Sequence, residues 1–249
     1  MEILSFGVGR RMRECERILG ELLRNISGRL VLLPIPTTRD NIYISGTDMT
    51  LKSITPFCGP NTIIVGYNIP GDLCREAASL GARIFDAGED ERFLLENAKI
   101  SANGAVGYLL THTAKDLSEI SFGILGYGRI GRELVRLLLL FGADVTLFTT
   151  RSSVALELGE SGIKSSVIDE GTDFSNIDVL INTAPARLIK EDSLPLKTEI
   201  LDLASGNIFE PSARLTKLSS IPEAFYPLTA GRLYADAVVR FLNREGMLE

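Results

Sequence analysis

The chain has 249 residues, with 26 basic and 32 acidic side chains for a net charge of −6, and 45% hydrophobic against 23% charged residues. The acidic balance argues against a nucleic-acid binder, which carries a basic excess or patch, and the apolar fraction excludes a disordered chain. The length leaves one large or two small domains open.

Three cysteines, Cys15, Cys58 and Cys74, fit neither a disulfide framework nor a CxxC motif, so reduced thiols and a cytoplasmic location are expected. No secretory signal is expected at the amino terminus, because an acid stands at position 2 and no basic region precedes the first apolar run. The longest apolar block, Leu137–Gly142 with Leu134 and Val135 before it, falls short of the roughly 18 residues of a membrane span. The chain has a single histidine, His112, which excludes a multi-histidine metal site, and no metal is expected.

In chain order, Ile3–Phe6 reads as a strand, Gly7-Val8-Gly9 as a tight turn and Arg10–Leu23 as a helix. The Gly7-Val8-Gly9 turn does not promise a nucleotide site, since the third glycine position is Met12 and no suitable acid follows the next strand. Arg10, Arg11 and Arg13 crowd the helix start, where either an anionic group or solvent would face them. Leu30–Leu33 and Thr62–Gly66 are apolar runs that stop at Pro34-Ile35-Pro36 and Asn68-Ile69-Pro70-Gly71, as buried parallel strands do. A helix over Asp72–Leu80, capped by Gly81, and a strand over Ala82–Phe85 complete a first α/β unit.

The stretch Glu91–Thr113 has few breakers and reads as a connecting helix. A second alternating set follows: strand Ser121–Leu125, helix Arg129–Phe141, and strands Asp144–Phe148, Asp178–Asn182 and Glu199–Leu203. Such alternation predicts parallel sheets with helices on both faces. In Thr229–Asn243 the apolar positions Leu233, Ala237, Val238, Phe241 and Leu242 share one helical face. The expected fold class is therefore α/β with two doubly wound parallel-sheet domains. A flavodoxin-like substrate domain over 1–95 is joined by a terminal helix, 229–249, that crosses back to it, and a Rossmann dinucleotide-binding domain covers 96–228.

Gly126-Tyr127-Gly128-Arg129-Ile130-Gly131 follows an apolar strand and opens a helix, the context in which GxGxxG marks a dinucleotide site. The glycines serve the tight turn, the approach of backbone to pyrophosphate and close helix packing, and the helix start offers free N–H groups. About 20 residues on, an acid would grip the ribose of NAD. Here Thr149, Thr150, Arg151 and Ser152 stand instead, and hydroxyls around an arginine favour the 2′-phosphate of NADP over NAD.

Taken together, Leu33–Asp40, Asn97, Ser101–Ala105, His112-Thr113, the glycine fingerprint, Thr150–Ser153, Ile181–Pro185, Leu201–Ser205 and Thr229–Gly231 resemble the dipicolinate synthase A-subunit family, NADP-dependent oxidoreductases of spore-forming bacteria. The resemblance covers most of the chain. It departs at Asn103 and near Gly9, where the family usually has acids, and in the short 219–227 segment. What it implies is oxidation of a cyclic imine dicarboxylate, derived from 4-hydroxy-tetrahydrodipicolinate by loss of water, to dipicolinate during sporulation.

That chemistry needs cationic sites for two carboxylates and a group to take a ring proton. Arg39 and Arg11 are the carboxylate candidates, while Thr37, Thr38, Ser101 and Asn103 would orient the ring from a cleft between the domains, with a 101–103 turn beside the nicotinamide. Imidazole titrates closest to neutrality, so His112, with Asn103, is the candidate for catalysis. Asn182, Thr183, Ala184, Pro185 and Ser205 complete the expected cofactor site. Beside the small-molecule dicarboxylate, the expected partners are further copies of the chain, in a homo-oligomer, and a flavoprotein-like B subunit. Two other readings stay open: a D-2-hydroxyacid dehydrogenase-like enzyme, and a regulatory protein that binds NADP without turnover.

Overall fold

A computed structural model describes residues 1–206 and 208–248. The chain divides into two compact units, Met1–Asn97 with Pro222–Glu249, and Ala98–Ile221. The divisions fall within one long helix and inside the short helix Ile221–Phe225, ahead of the 228/229 boundary expected from the sequence.

The first unit holds β1 (Glu2–Ser5), α1 (Arg10–Leu22), β2 (Arg29–Leu32), a 3₁₀ segment over Leu51–Phe57, β3 (Thr62–Gly66), α2 (Gly71–Ser79), β4 (Arg83–Asp86) and the start of α3 (Glu91–His112). Its four strands are all parallel in the order β1-β2-β3-β4. Successive residues face opposite sides, so Leu30, Leu32, Ile63 and Val65 pack with α1 and the terminal helix. Val31, Leu33 and Ile64 pack with the 3₁₀ segment and α2. Burial on both faces is why these strands read as unbroken apolar runs.

The sequential strand order corrects the flavodoxin-like expectation, whose order is 2-1-3-4-5. Here β2 lies between β1 and β3, because its core-facing residues are buried whereas β1 carries the exposed Glu2 and takes an edge.

The second unit holds the rest of α3, then β5 (Ser121–Leu125), α4 (Arg129–Leu140), β6 (Asp144–Thr149), α5 (Ser152–Glu160), β7 (Lys164–Val167), β8 (Val179–Asn182), β9 (Glu199–Asp202) and β10 (Leu215–Lys217). The six parallel strands run β7-β6-β5-β8-β9-β10, which is the Rossmann order with its reversal between β5 and β8. One face is covered by α3, α4 and α5. The other is covered by Phe174, Ile177, Ile189, Leu194 and Phe209, from segments without long helices. The edge strands β7, Lys-Ser-Ser-Val, and β10, Leu-Thr-Lys, carry no apolar run and were not expected.

The chain ends on α6 (Ile221–Phe225) and α7 (Pro227–Arg244). The latter starts ahead of the expected Thr229, because a proline suits the first position of a helix. It stops short of 249, with Gly246 at φ +67° just beyond, and Glu249 lies outside the described residues. It packs along α1 at Gly231, where a Cβ would lie 2.5 Å from the Arg11 carbonyl oxygen. The buried Tyr234 hydroxyl donates to the Leu33 carbonyl at 2.9 Å, so the last helix is integral to the first core. Among the described residues no helix is long and apolar enough to cross a membrane.

Candidate functional site

The C-terminal end of β5 turns at Gly126, whose φ of +90° is open to glycine without strain. Its amide donates to the Phe148 carbonyl at 2.9 Å, carrying the ladder past the strand end. Gly131, in the first turn of α4, lies against the Gly126 carbonyl so closely that a Cβ would collide with it, while space beside Gly128 is open. Thr183 secures the loop from β8, its hydroxyl donating to Leu125 O at 2.8 Å and lying 3.2 Å from Gly126 O. Helix α4 has no side-chain cap, which leaves its first amides directed at whatever occupies the loop. Both features fit a dinucleotide pyrophosphate. Exposed Arg129 and half-buried Ile130 follow the loop, and the Arg132 guanidinium lies 5.0 Å from the Tyr127 ring centroid.

At the end of β6, Thr149 is 3% exposed and its hydroxyl accepts the Arg151 amide at 3.2 Å, so it faces inward. Thr150, Arg151 and Ser152 are exposed. The Arg151 side chain reaches back over the glycine loop, Nη2 donating to the Tyr127 carbonyl at 3.0 Å. No carboxylate stands in this turn.

Three polar residues close the ends of β8, β9 and β10. Asn182 Nδ2 donates to Asp202 Oδ1 at 2.8 Å and to the Ala184 carbonyl at 3.2 Å, and its Oδ1 accepts the Ala184 amide at 3.1 Å. Asp202 accepts the Ala204 amide at 3.1 Å and, through Oδ2, Lys217 Nζ at 2.6 Å. The ammonium also donates to the carbonyls of Ala204 and Gly206. Asn182 is 1% exposed with its amide consumed, which makes it a residue that shapes the Thr183–Pro185 turn, not one that reaches a ligand. Of the remaining expected positions Ala184 is buried, Thr183 half-buried, and Pro185 and Ser205 are exposed. Lys217 lies in β10, a three-residue strand, Leu-Thr-Lys, whose sequence carries no strand pattern. Asp202 could have been found, since an acid between Leu201 and Leu203 in a buried strand needs a partner.

In the first unit, Arg11 is 5% exposed. The anion at the start of α1 comes from the chain itself: Glu223 accepts the amides of Arg10 at 2.8 Å and Arg11 at 3.1 Å. Gly9, at φ +100°, permits this, since a Cβ there would lie 2.5 Å from Glu223 Oε1. Burial pulls the Arg11 guanidinium below its ordinary pKa, against the opposing charge of Glu223. Thr37 is fully buried and accepts the Tyr67 amide at 3.0 Å, tying the loop after β2 to the loop after β3. Thr38 and Asp40 build a turn, Asp40 accepting the amides of Ile42 and Tyr43 at 2.8 and 2.9 Å, and Arg39 is exposed upon it.

Ser101 and Asn103 lie inside α3, not in the expected turn. Two positions apart on a helix, they point about 200° from each other, Ser101 buried and Asn103 exposed. His112 ends α3, stacked on Tyr108 at 3.9 Å with Nδ1 2.9 Å from the Tyr108 carbonyl oxygen. The helix there feeds the start of β5, whereas the glycine loop follows its end, roughly 16 Å further along a five-residue strand. The structure thus does not bring His112 to the loop. Cys15, Cys58 and Cys74 are free thiols, and no cluster that could hold a metal occurs among the described residues.

No protein-family model matches the chain, and no curated protein matches it. Solved structures similar in fold include the dipicolinate synthase A subunit from Bacillus halodurans, with a TM-score of 0.78 and 20% identity over 97% of both chains. The A chain of dipicolinate synthase from Bacillus subtilis gives 0.75 and 21%, over 98% of this chain and 96% of that one. A D-isomer specific 2-hydroxyacid dehydrogenase from Lactobacillus delbrueckii ssp. bulgaricus gives 0.53 and 12%, over 99% and 98%.

Proposed function

We propose that the chain is an NADP-dependent oxidoreductase that dehydrogenates a cyclic imine dicarboxylate to aromatic dipicolinate. The cofactor half of this reading is carried by Arg151, which lies across the glycine loop at 3.0 Å from the Tyr127 carbonyl oxygen in a turn without carboxylates, where a 2′-phosphate meets a charged donor. Gly126–Gly131 would hold the pyrophosphate, Thr150, Arg151 and Ser152 the phosphorylated ribose, and Thr183, Pro185 and Ser205 border the remainder. Bound there, the nicotinamide supplies a hydride acceptor.

The substrate half is supported by the likeness in fold to two dipicolinate synthase A chains along nearly the whole length. For that substrate the first unit contributes Arg39 and Arg11 toward the two carboxylates, at the C-terminal ends of parallel strands where ligands of α/β sheets gather. The same proposal includes a cytoplasmic location, a role in sporulation, self-association and work beside a flavoprotein-like second subunit.

The test is to incubate the protein with NADP and the aldol product 4-hydroxy-tetrahydrodipicolinate, with and without that second subunit, and follow NADPH and dipicolinate by absorbance. Their joint, equimolar rise is expected. Tight NADP binding with no hydride transfer in either arm would overturn the enzymatic reading and leave a non-catalytic NADP-binding protein, the alternative favoured by the distance of His112 from the glycine loop.

A further inference from the structure

We propose that Lys217 is a positioning residue for the cofactor: its ammonium fixes the loop after β9 so that Ser205 is held toward the nicotinamide half of the dinucleotide. The inference deepens the cofactor reading above and rests on it.

The last residues of β8, β9 and β10 are polar and stand in one row. Asn182 and Lys217 are the register partners of Asp202 on its two sides, and Leu125, which leads into the glycine loop, is the partner of Asn182. Neighbouring strands lie about 4.8 Å apart, so β9 ends roughly 10 Å from the end of β5. In a Rossmann sheet the dinucleotide straddles the reversal in strand order, with one mononucleotide on each side. Arg151 follows β6 on one side of that reversal, while the loops after β8 and β9 lie on the other. The nicotinamide half belongs to the second side.

An ammonium has three protons, and Lys217 donates them to Asp202 Oδ2 at 2.6 Å and to the carbonyls of Ala204 and Gly206. One of these contacts answers the charge of the buried Asp202. The other two tie down a loop, 203–214, that holds no helix or strand among the described residues. The Ala204 carbonyl and the Ser205 amide share one planar trans peptide, so a carbonyl aimed at Lys217 aims the Ser205 N–H away from it. Ser205 is exposed, and it offers this amide and its hydroxyl to the carboxamide of the nicotinamide. The turn after β8 does not depend on the lysine, because Asn182 bonds both the amide and the carbonyl of Ala184 by itself.

The test is calorimetric binding by the full chain of NADP and NAD, and of their adenosine halves, adenosine 2′,5′-bisphosphate and AMP. Lys217→Met should raise the Kd of the whole cofactor about tenfold and leave that of its adenosine half unchanged. Because Lys217→Met also orphans Asp202, a second variant combines it with Asp202→Asn. The pair should regain stability in denaturant unfolding and still bind the whole cofactor about tenfold more weakly than the parent. An unchanged Kd, equal losses for cofactor and adenosine half, or affinity recovered together with stability would each overturn the positioning role and leave Lys217 as the counter-charge of Asp202. A parent protein that binds neither dinucleotide would overturn the cofactor reading, and this role with it.

Discussion

The Glu223 carboxylate accepts the Arg11 amide at 3.1 Å, so an acid near the chain's end caps the first helix. It supplies what Gly9, the N-cap residue of α1, has no side chain to give. Glu223→Ala should lower stability by about 1–2 kcal/mol, the usual worth of an N-cap, read by denaturant unfolding. Gly9→Ala should cost more, because φ is +100° there and the new methyl would meet Glu223 Oε1 at 2.5 Å. A neutral result for Glu223→Ala would mean solvent caps α1 equally well.

Arg151→Ala should weaken NADP binding by about 1–3 kcal/mol, as expected for a charged hydrogen-bonded contact, while NAD binding stays nearly constant. Fluorescence titration with both cofactors checks it. Equal losses would show that Arg151 acts only by holding Tyr127, whose carbonyl it contacts at 3.0 Å.

Lys217→Met should destabilise the second unit by about 2–4 kcal/mol, below the full cost of breaking a buried pair because the ammonium is partly exposed. Asp202 is 1% exposed and would keep only Asn182 and the Ala204 amide as partners. Adding Asp202→Asn should recover part of the loss, since the orphaned charge disappears. Chemical denaturation of both variants is the check, and no recovery would place the cost in lost contacts of the lysine with the Ala204 and Gly206 carbonyls.

Asp90 gives a pH-dependent contribution. Burial pushes its pKa up, but the Phe93 amide and the Arg240 guanidinium, 2.7 Å away, outweigh burial and hold it below the ordinary value. A depressed carboxylate stabilises the fold above its unfolded pKa of about 3.9, and the stabilisation fades as pH falls through the lower folded value. The stability difference between the parent protein and Asp90→Asn should therefore be full near neutrality and shrink below about pH 4. A difference independent of pH would remove the ionised carboxylate from the explanation.

The sequence by itself determined the two α/β units, the central strands and the glycine loop. Leu30–Leu33, Thr62–Gly66 and Ser121–Leu125 are legible because a strand buried on both faces must be apolar throughout. Gly126 and Gly131 are legible because a positive φ at the first and backbone contact at the second both favour glycine over any side chain. Only the tertiary structure decided the order of the first sheet, the polar edge strands β7 and β10, and where side chains point. Thr149 and Asn182 turn inward, Ser101 and Asn103 diverge on α3, and His112 ends up at the far end of β5. Glu223 meets Arg11 although 212 residues separate them. Local pattern records which face of an element is buried, whereas pairing between distant polar groups depends on how whole elements pack, and neighbours in sequence carry no trace of that.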